Sequence, residues 1–231
     1  MTQELINSIN TLLEENKFDE IISLIEKLPE KEKNYQAKLF LANAYYDIAD
    51  DFDDYDNSKN LEKILQILLS VSDEGESDIR WLNLIAKTYY NLNKEEVALE
   101  YFERVKRICQ KDPEIADNLF VEQFIDSCNN YIKEKAIHII QNAFSNFYTG
   151  KELNFIHNKE EKDLQIEVLG KSTNYHIIIK LIYKNHCKIE YNYKHLSTTD
   201  TKNIAGYGNN IENAVLDSVY KYMDAINPIL K

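Results

Sequence analysis

The chain has 231 residues, of which 44% are apolar and 29% are charged, and its formal net charge at pH 7 is −12. This composition predicts a folded protein rather than a disordered one, and no apolar run approaches the roughly 20 residues that a membrane-spanning helix needs. The N-terminus lacks the basic and apolar character of a secretion signal, and the three cysteines are too few and too scattered for a disulfide framework. The sequence therefore predicts a cytoplasmic protein without a membrane segment.

The negative charge is concentrated in the N-terminal half. Residues 1–112 hold 24 acidic and 14 basic residues, whereas residues 113–231 hold 15 and 13. Because a nucleic acid needs a positive surface, we expect no nucleic-acid partner. A basic protein is the electrostatic complement of such a chain, although the charge is equally consistent with a role in solubility alone.

Apolar residues at helical spacing predict three consecutive helical pairs in this half. The first pair ends at Leu28-Pro29, the second begins around Leu41-Ala42, and the third runs from Trp81 to Arg107. The distance from Leu41 to Ile85 is 44 residues, ten more than a 34-residue repeat. An insertion should therefore separate the two helices of the second pair, and the acidic segment 49–58 has that position.

The third pair has the large–small–aromatic spacing of a tetratricopeptide (TPR) repeat. Residues 1–112 resemble a TPR-like module of bacterial proteins through Leu28-Pro29, Leu41-Ala42-Asn43-Ala44-Tyr45, Trp81, and Ala98-Leu99-Glu100-Tyr101-Phe102. Two features depart from that pattern: the acidic insertion, and Asn93 where a glycine is usual. The resemblance implies a right-handed αα superhelix that presents a groove to another protein.

The resemblance also implies where a partner would bind, because ligand contacts in such arrays come mainly from the first helix of each pair. The corresponding positions here are Gln36, Leu39, Asn43, Tyr46, Arg80, Asn83, Lys87, Tyr90 and Asn91. A second candidate surface is the acidic loop, formed by Asp50, Asp51, Asp53, Asp54 and Asp56. The loop lacks the glycine and glutamate spacing of a calcium site, so we expect it to be solvated or to meet a basic partner.

The pattern changes in the C-terminal half. Helices are predicted over 116–131 and 133–148, followed by strands over 164–169 and 175–193 and a final helix over 210–225, with a polar loop at 197–210. The hairpin in 175–193 is predicted to turn through a three-residue loop, Lys184–His186, which pairs Tyr183 with Cys187 and Leu181 with Ile189. These elements predict a small α+β domain with a three-stranded antiparallel sheet.

No motif in the chain indicates catalysis. His176, His186, Cys187 and His195 surround the hairpin but do not share a face in the predicted register, so we expect no metal site. The Gly206-Tyr207-Gly208 segment lacks the remainder of a nucleotide-binding fingerprint. We therefore predict no enzyme, no metal and no cofactor.

The sequence as a whole predicts two domains: a TPR-like array over 1–130, and a small α+β domain over 131–231 with a helix, antiparallel strands and a helix. The expected function is non-catalytic protein–protein interaction, as an adaptor, through the groove and the acidic surface. Two alternatives stay open: an immunity-type inhibitor that neutralises a basic toxin such as a nuclease, and a small-ligand or catalytic role in the C-terminal domain. A dimer formed through the C-terminal sheet is also compatible with the pattern.

Overall fold

The computed structural model describes residues 1–51, 58–111, 120–147, 153–158, 165–170, 175–183, 186–193, 202–207 and 211–230. The chain divides into two units, Met1–Asn129 and Asn130–Lys231. No helix in these described ranges is long and apolar enough to cross a bilayer.

The first unit consists of helices that pack against their neighbours in the chain. Their bounds are α1 Gln3–Glu14, α2 Phe18–Glu26, α3 Tyr35–Asp51, α4 Ser58–Leu69, the single-turn α5 Ser72–Gly75, α6 Ile79–Asn91 and α7 Glu95–Cys109. The next helix, α8 Val121–Phe147, begins in this unit and ends in the second. The contacts between α1 and α2, α3 and α4, and α6 and α7 make three helical pairs.

Asparagines reverse the chain between paired helices. Asn16 follows α1 and Asn93 follows α6, and each has a φ of 55°. Asparagine tolerates this left-handed conformation better than most residues with a side chain. This explains how Asn93 can occupy a turn position at which a glycine was expected.

Two apolar centres hold the first unit together. In the first, α1, α2 and α3 bury a cluster that includes Ile9, Ile21, Ile25 and Leu41. In the second, Trp81 of α6 is only 1% exposed, and its indole Nε1 donates a hydrogen bond of 3.0 Å to the carbonyl of Leu68. Both centres arise from apolar residues spaced three or four apart, which form one face of each helix.

The helix α8 corrects one expectation. We predicted separate helices over 116–131 and 133–148, whereas Val121–Phe147 is one helix of 27 residues. Residues 116–119 lie outside the described residues. No glycine or proline occurs between Val121 and Phe147, so nothing in the sequence interrupts the helix there. The boundary between the two units falls within this helix.

The second unit contains an antiparallel sheet, and its described part has five strands rather than the three predicted. The strands are β1 Leu153–Asn158, β2 Gln165–Gly170, β3 Tyr175–Tyr183, β4 His186–Tyr193 and β5 Lys202–Tyr207. Their order in the sheet is the order in the chain, so β1 and β5 are the two edges. The helix α9, Ile211–Leu230, packs against β4 and β5.

The register of the central hairpin also differs from the prediction. Tyr183 pairs with His186 and, past a bulge, Leu181 pairs with Cys187, whereas we had paired Leu181 with Ile189. A shift of two residues leaves every side chain on the same face, so the apolar alternation could not distinguish the two registers. The bulge lies between Leu181 and Tyr183 and adds one residue to β3. Because of this extra residue, a tight turn between Tyr183 and His186 is compatible with the apolar alternation of both strands.

Candidate partner-binding groove

A pocket of about 220 Å³ opens in the first unit where α1, α3 and α6 meet. Its lining is mainly apolar, with three polar side chains, and consists of Leu13, Gln36, Leu39, Phe40, Asn43, Arg80 and Leu84. Small-molecule sites are usually larger, at roughly 300–1,000 Å³. The volume suits one or two amino-acid side chains better than a cofactor.

Four of the nine residues predicted to contact a partner line this pocket. They are Gln36, Leu39 and Asn43 on α3, and Arg80 on α6. They meet because residues three and four apart share a helix face. The same rule connects the unpredicted Phe40 to Gln36 and the unpredicted Leu84 to Arg80, so that signal could have identified both. Leu13 belongs to the degenerate first pair, and nothing in the repeat pattern pointed to it.

The other predicted residues lie elsewhere. Tyr46 and Asn83 are only 7% and 9% exposed, and the Tyr46 hydroxyl accepts a hydrogen bond of 3.0 Å from Asn91 Nδ2. Neither Tyr46 nor Asn83 lines the pocket, whereas Leu39, which is just as buried, does. Lys87 and Tyr90 pack near Phe124 of α8: the Lys87 Nζ lies 5.7 Å from the centre of its ring, and the Tyr90 ring meets it edge-on.

The position of Arg80 at the pocket is fixed by Asp78. The guanidinium donates from Nη2 to Asp78 Oδ2 at 2.6 Å and from Nε to Oδ1 at 3.1 Å. The same carboxylate caps α6 by accepting the backbone N–H of Arg80 at 2.9 Å. Partial burial acts to raise the pKa of Asp78, but the hydrogen bonds from Arg80 outweigh it and lower that pKa. An organised cation therefore stands at the edge of an apolar pocket.

We expect the Asp78–Arg80 pair to make the free energy of unfolding of the helical unit depend on pH in the acid range. The folded-state pKa of Asp78 lies below its unfolded value of about 3.9, so its contribution is complete above that value and is lost as the pH falls through the folded pKa. Asp78→Asn keeps a side chain that can cap α6 but cannot titrate. The stability difference between wild type and Asp78→Asn, measured by urea unfolding from neutral pH into the acid range, should therefore shrink as the pH falls below about 4. A difference independent of pH over that range would contradict the pairing.

A second charged cluster joins α2, α3 and α4. The Tyr45 hydroxyl donates to Glu26 Oε1 at 2.5 Å, and the Lys63 ammonium donates to both groups and lies 4.0 Å from the centre of the Tyr45 ring. Hydrogen bonds from Tyr45 and Lys63 lower the pKa of Glu26, and burial raises that of Tyr45. These three groups satisfy one another, so we assign the cluster to structure.

The remaining candidates have less structural support. Asp50 and Asp51 stand at the end of α3, whereas Asp53, Asp54 and Asp56 lie outside the described residues. His176, His186 and Cys187 occupy strand positions whose side chains are not described, and His195 lies outside the described residues. Within the described part of the chain, no three His, Cys, Asp or Glu side chains are grouped as metal ligands.

No family model, curated protein or solved structure matches the chain.

Proposed function

We propose that the first unit is a TPR-like array that binds a partner polypeptide, with an apolar side chain of the partner seated in the pocket between α1, α3 and α6. The helical pairs and the Trp81–Arg107 sequence pattern support the repeat assignment. The pocket carries the functional part of the proposal, because its volume and lining suit an amino-acid side chain.

The polar groups around the pocket suit a polypeptide. Gln36 offers an amide that can donate and accept, as does every peptide unit of an extended chain. Asn43 donates from Nδ2 to Asp47 Oδ2 at 2.7 Å, which leaves its second N–H and its carbonyl oxygen for a partner. Arg80 adds a cation, and its two hydrogen bonds to Asp78 use two of its five N–H groups. The preferred ligand is therefore a segment with an apolar anchor and an acceptor, such as a carbonyl or carboxylate, beside it.

Peptide selection tests this proposal. A random peptide library displayed on phage would be selected on the full-length protein, and the affinity of an enriched peptide measured by fluorescence anisotropy. We expect Arg80→Ala to raise the dissociation constant about tenfold, the effect of losing one charge-assisted hydrogen bond. Gln36→Trp places a bulky ring in the half-buried rim of the pocket and should abolish binding.

Arg107→Ala is the matched control, because it removes the same charge from an exposed position on α7. It should leave the affinity within about twofold of wild type. Circular dichroism must show that each variant keeps its helical content. Equal losses in Arg80→Ala and Arg107→Ala would show that only net charge matters, and unchanged binding by Gln36→Trp would remove the pocket from the proposal.

The charge of the N-terminal half supports a second candidate, inhibition of a basic toxin. A net charge of −10 over residues 1–112 would speed association with a basic protein and make it strongly dependent on salt. The two candidates differ in a measurable way, because seating an apolar side chain in the pocket depends little on ionic strength. A peptide whose affinity falls steeply with salt, and is insensitive to Gln36→Trp, would favour the charged surface.

A further inference from the structure

Two residues that line the pocket, Phe40 of α3 and Arg80 of α6, are of types that commonly pack against aromatic rings. Aromatic rings pair edge-to-face or with an offset, and a guanidinium is attracted to the face of a ring by the ring's quadrupole. Among the described residues, no ring forms an aromatic pair with Phe40, and none lies under the Arg80 guanidinium. Both positions are therefore open to a ring from outside the chain.

Elsewhere in the first unit, cations near aromatic rings do lie over them. The Arg104 guanidinium is 5.6 Å from the centre of the Tyr101 ring, and the Lys94 ammonium is 5.9 Å from that of Tyr89. In these pairs both the cation and the ring belong to the protein. At Arg80 the protein supplies the cation and an apolar space beside it, but no ring.

The ion pair with Asp78 prepares Arg80 for such a contact. Its hydrogen bonds leave from Nε and Nη2, which lie in the plane of the guanidinium, so Asp78 holds the group by one edge. The Arg80 side chain is 64% exposed. A guanidinium already fixed in this way loses little conformational entropy when a ring packs on its face. The other N–H groups also lie in the plane, so Arg80 can bind an acceptor by its edge and a ring by its face.

The size of the pocket also favours a ring. Its volume of about 220 Å³ is roughly seven times the volume that one water molecule occupies in the liquid. An aromatic side chain comes closer to filling this space than valine or leucine does. A side chain that leaves a gap loses dispersion contacts with the lining, here with Leu13, Leu39 and Leu84.

We infer that the pocket selects an aromatic anchor, namely phenylalanine, tyrosine or tryptophan, over an aliphatic one, and that Arg80 determines this specificity by packing its guanidinium on the ring. The inference rests on the proposed function and names the anchor side chain that the function leaves open. The partner is thus a polypeptide segment with an aromatic residue and a carbonyl or carboxylate beside it.

Peptides selected from the phage library on the full-length protein test this specificity. Their common anchor position should be aromatic. A selected peptide is then synthesised with phenylalanine at that position and, as its matched partner, with cyclohexylalanine, which keeps the carbon skeleton but has no π system. Wild type should bind the phenylalanine peptide about fivefold more tightly, as measured by fluorescence anisotropy. This comparison needs no variant, so it does not depend on the folding of a mutant.

Arg80→Ala should weaken the binding of both peptides and reduce their difference to within about twofold, whereas Arg107→Ala should keep the fivefold difference. Aliphatic anchors in the selected peptides, or equal binding of the matched pair by wild type, would overturn the inference and leave the pocket as a polypeptide site. A full preference in Arg80→Ala would overturn it as well. If no peptide is selected, or if Gln36→Trp leaves binding unchanged, the proposed function fails and the inference fails with it.

Discussion

Replacing Trp81 with alanine should lower the free energy of unfolding of the helical unit by about 3–5 kcal/mol, the usual cost of removing a fully buried large aromatic side chain. The indole is 1% exposed and packs edge-on against Tyr101, with ring centres 5.9 Å apart. Truncation leaves a cavity among α4, α5, α6 and α7. It also leaves the Leu68 carbonyl without the hydrogen bond that the indole donates.

The neighbouring glycine shows how tightly this site is packed. A Cβ on Gly75 would lie 2.4–2.6 Å from three atoms of the Trp81 indole. Because Gly75 allows the ring to approach the backbone, the cavity in Trp81→Ala is bounded partly by the backbone of α5. Backbone is held by its own hydrogen bonds and collapses less readily than flexible side chains, so we expect a cost in the upper part of the range.

Urea unfolding followed by far-ultraviolet circular dichroism measures this effect. Trp81 is the only tryptophan, so its fluorescence reports the unfolding of the first unit in wild type and is lost in the variant. Trp81→Phe is the control: it keeps much of the volume but removes the donor, and should cost about 1–3 kcal/mol. A loss below about 1 kcal/mol in Trp81→Ala would show that the site relaxes around the missing ring.

The first unit illustrates what a sequence of this kind specifies well. The residues from Trp81 to Arg107 have apolar positions three and four apart in two runs, and the structure places α6 and α7 there. Local signals of this kind agree with one another, which makes a helical pair predictable. The pocket was only half predictable, because Leu13 reaches it from α1, whose place in the unit depends on packing rather than on local sequence.

The second unit shows where local signals fail. The strands β1 and β5 are only six residues long and lie at the edges, so each has only one hydrogen-bonded neighbour, and the sequence pattern did not reveal them. We had assigned the residues of β5 to a loop because the segment 197–210 is polar and contains glycine. Its strand conformation depends on pairing with β4 and on the cover that α9 provides, both of which are non-local.

Gly206 lies at the contact between β5 and α9, and Gly206→Ala should displace the helix from the sheet. A Cβ at this position would lie 2.2 Å from the carbonyl oxygen of Ala214 and 2.4 Å from the backbone nitrogen of Ser218. Both atoms belong to the α9 backbone and cannot rotate away. The φ of Gly206 lies outside the left-handed region, so the expected effect is steric and involves no strain in the backbone of β5.

The displacement disturbs the buried face of α9, which contains Val215, Val219 and Tyr222. We expect a loss of about 2–3 kcal/mol, typical of overpacking at a site that cannot adjust. Amide hydrogen exchange locates the effect: protection should fall along α9 and β5 but not in α6 or α7. Tyr207→Ala removes an exposed ring whose centre lies 5.9 Å from Lys221 Nζ but adds no atom between the strand and the helix, so it should leave the protection of α9 much closer to wild type.

Hydrogen exchange in Gly206→Ala also tests whether α9 prevents another strand from pairing with β5. Asp217 and Lys221 reach the backbone of β5 only while α9 lies against it, so a displaced helix should expose the Tyr207 N–H and the Ala205 carbonyl together. Gly206→Ala should then self-associate more than wild type, because this edge of the sheet becomes available for pairing. Faster exchange in α9 without self-association would show that Gly206 holds the helix in place, but that the helix is not what blocks pairing at β5. Unchanged exchange in α9 would contradict the close contact between Gly206 and the helix backbone.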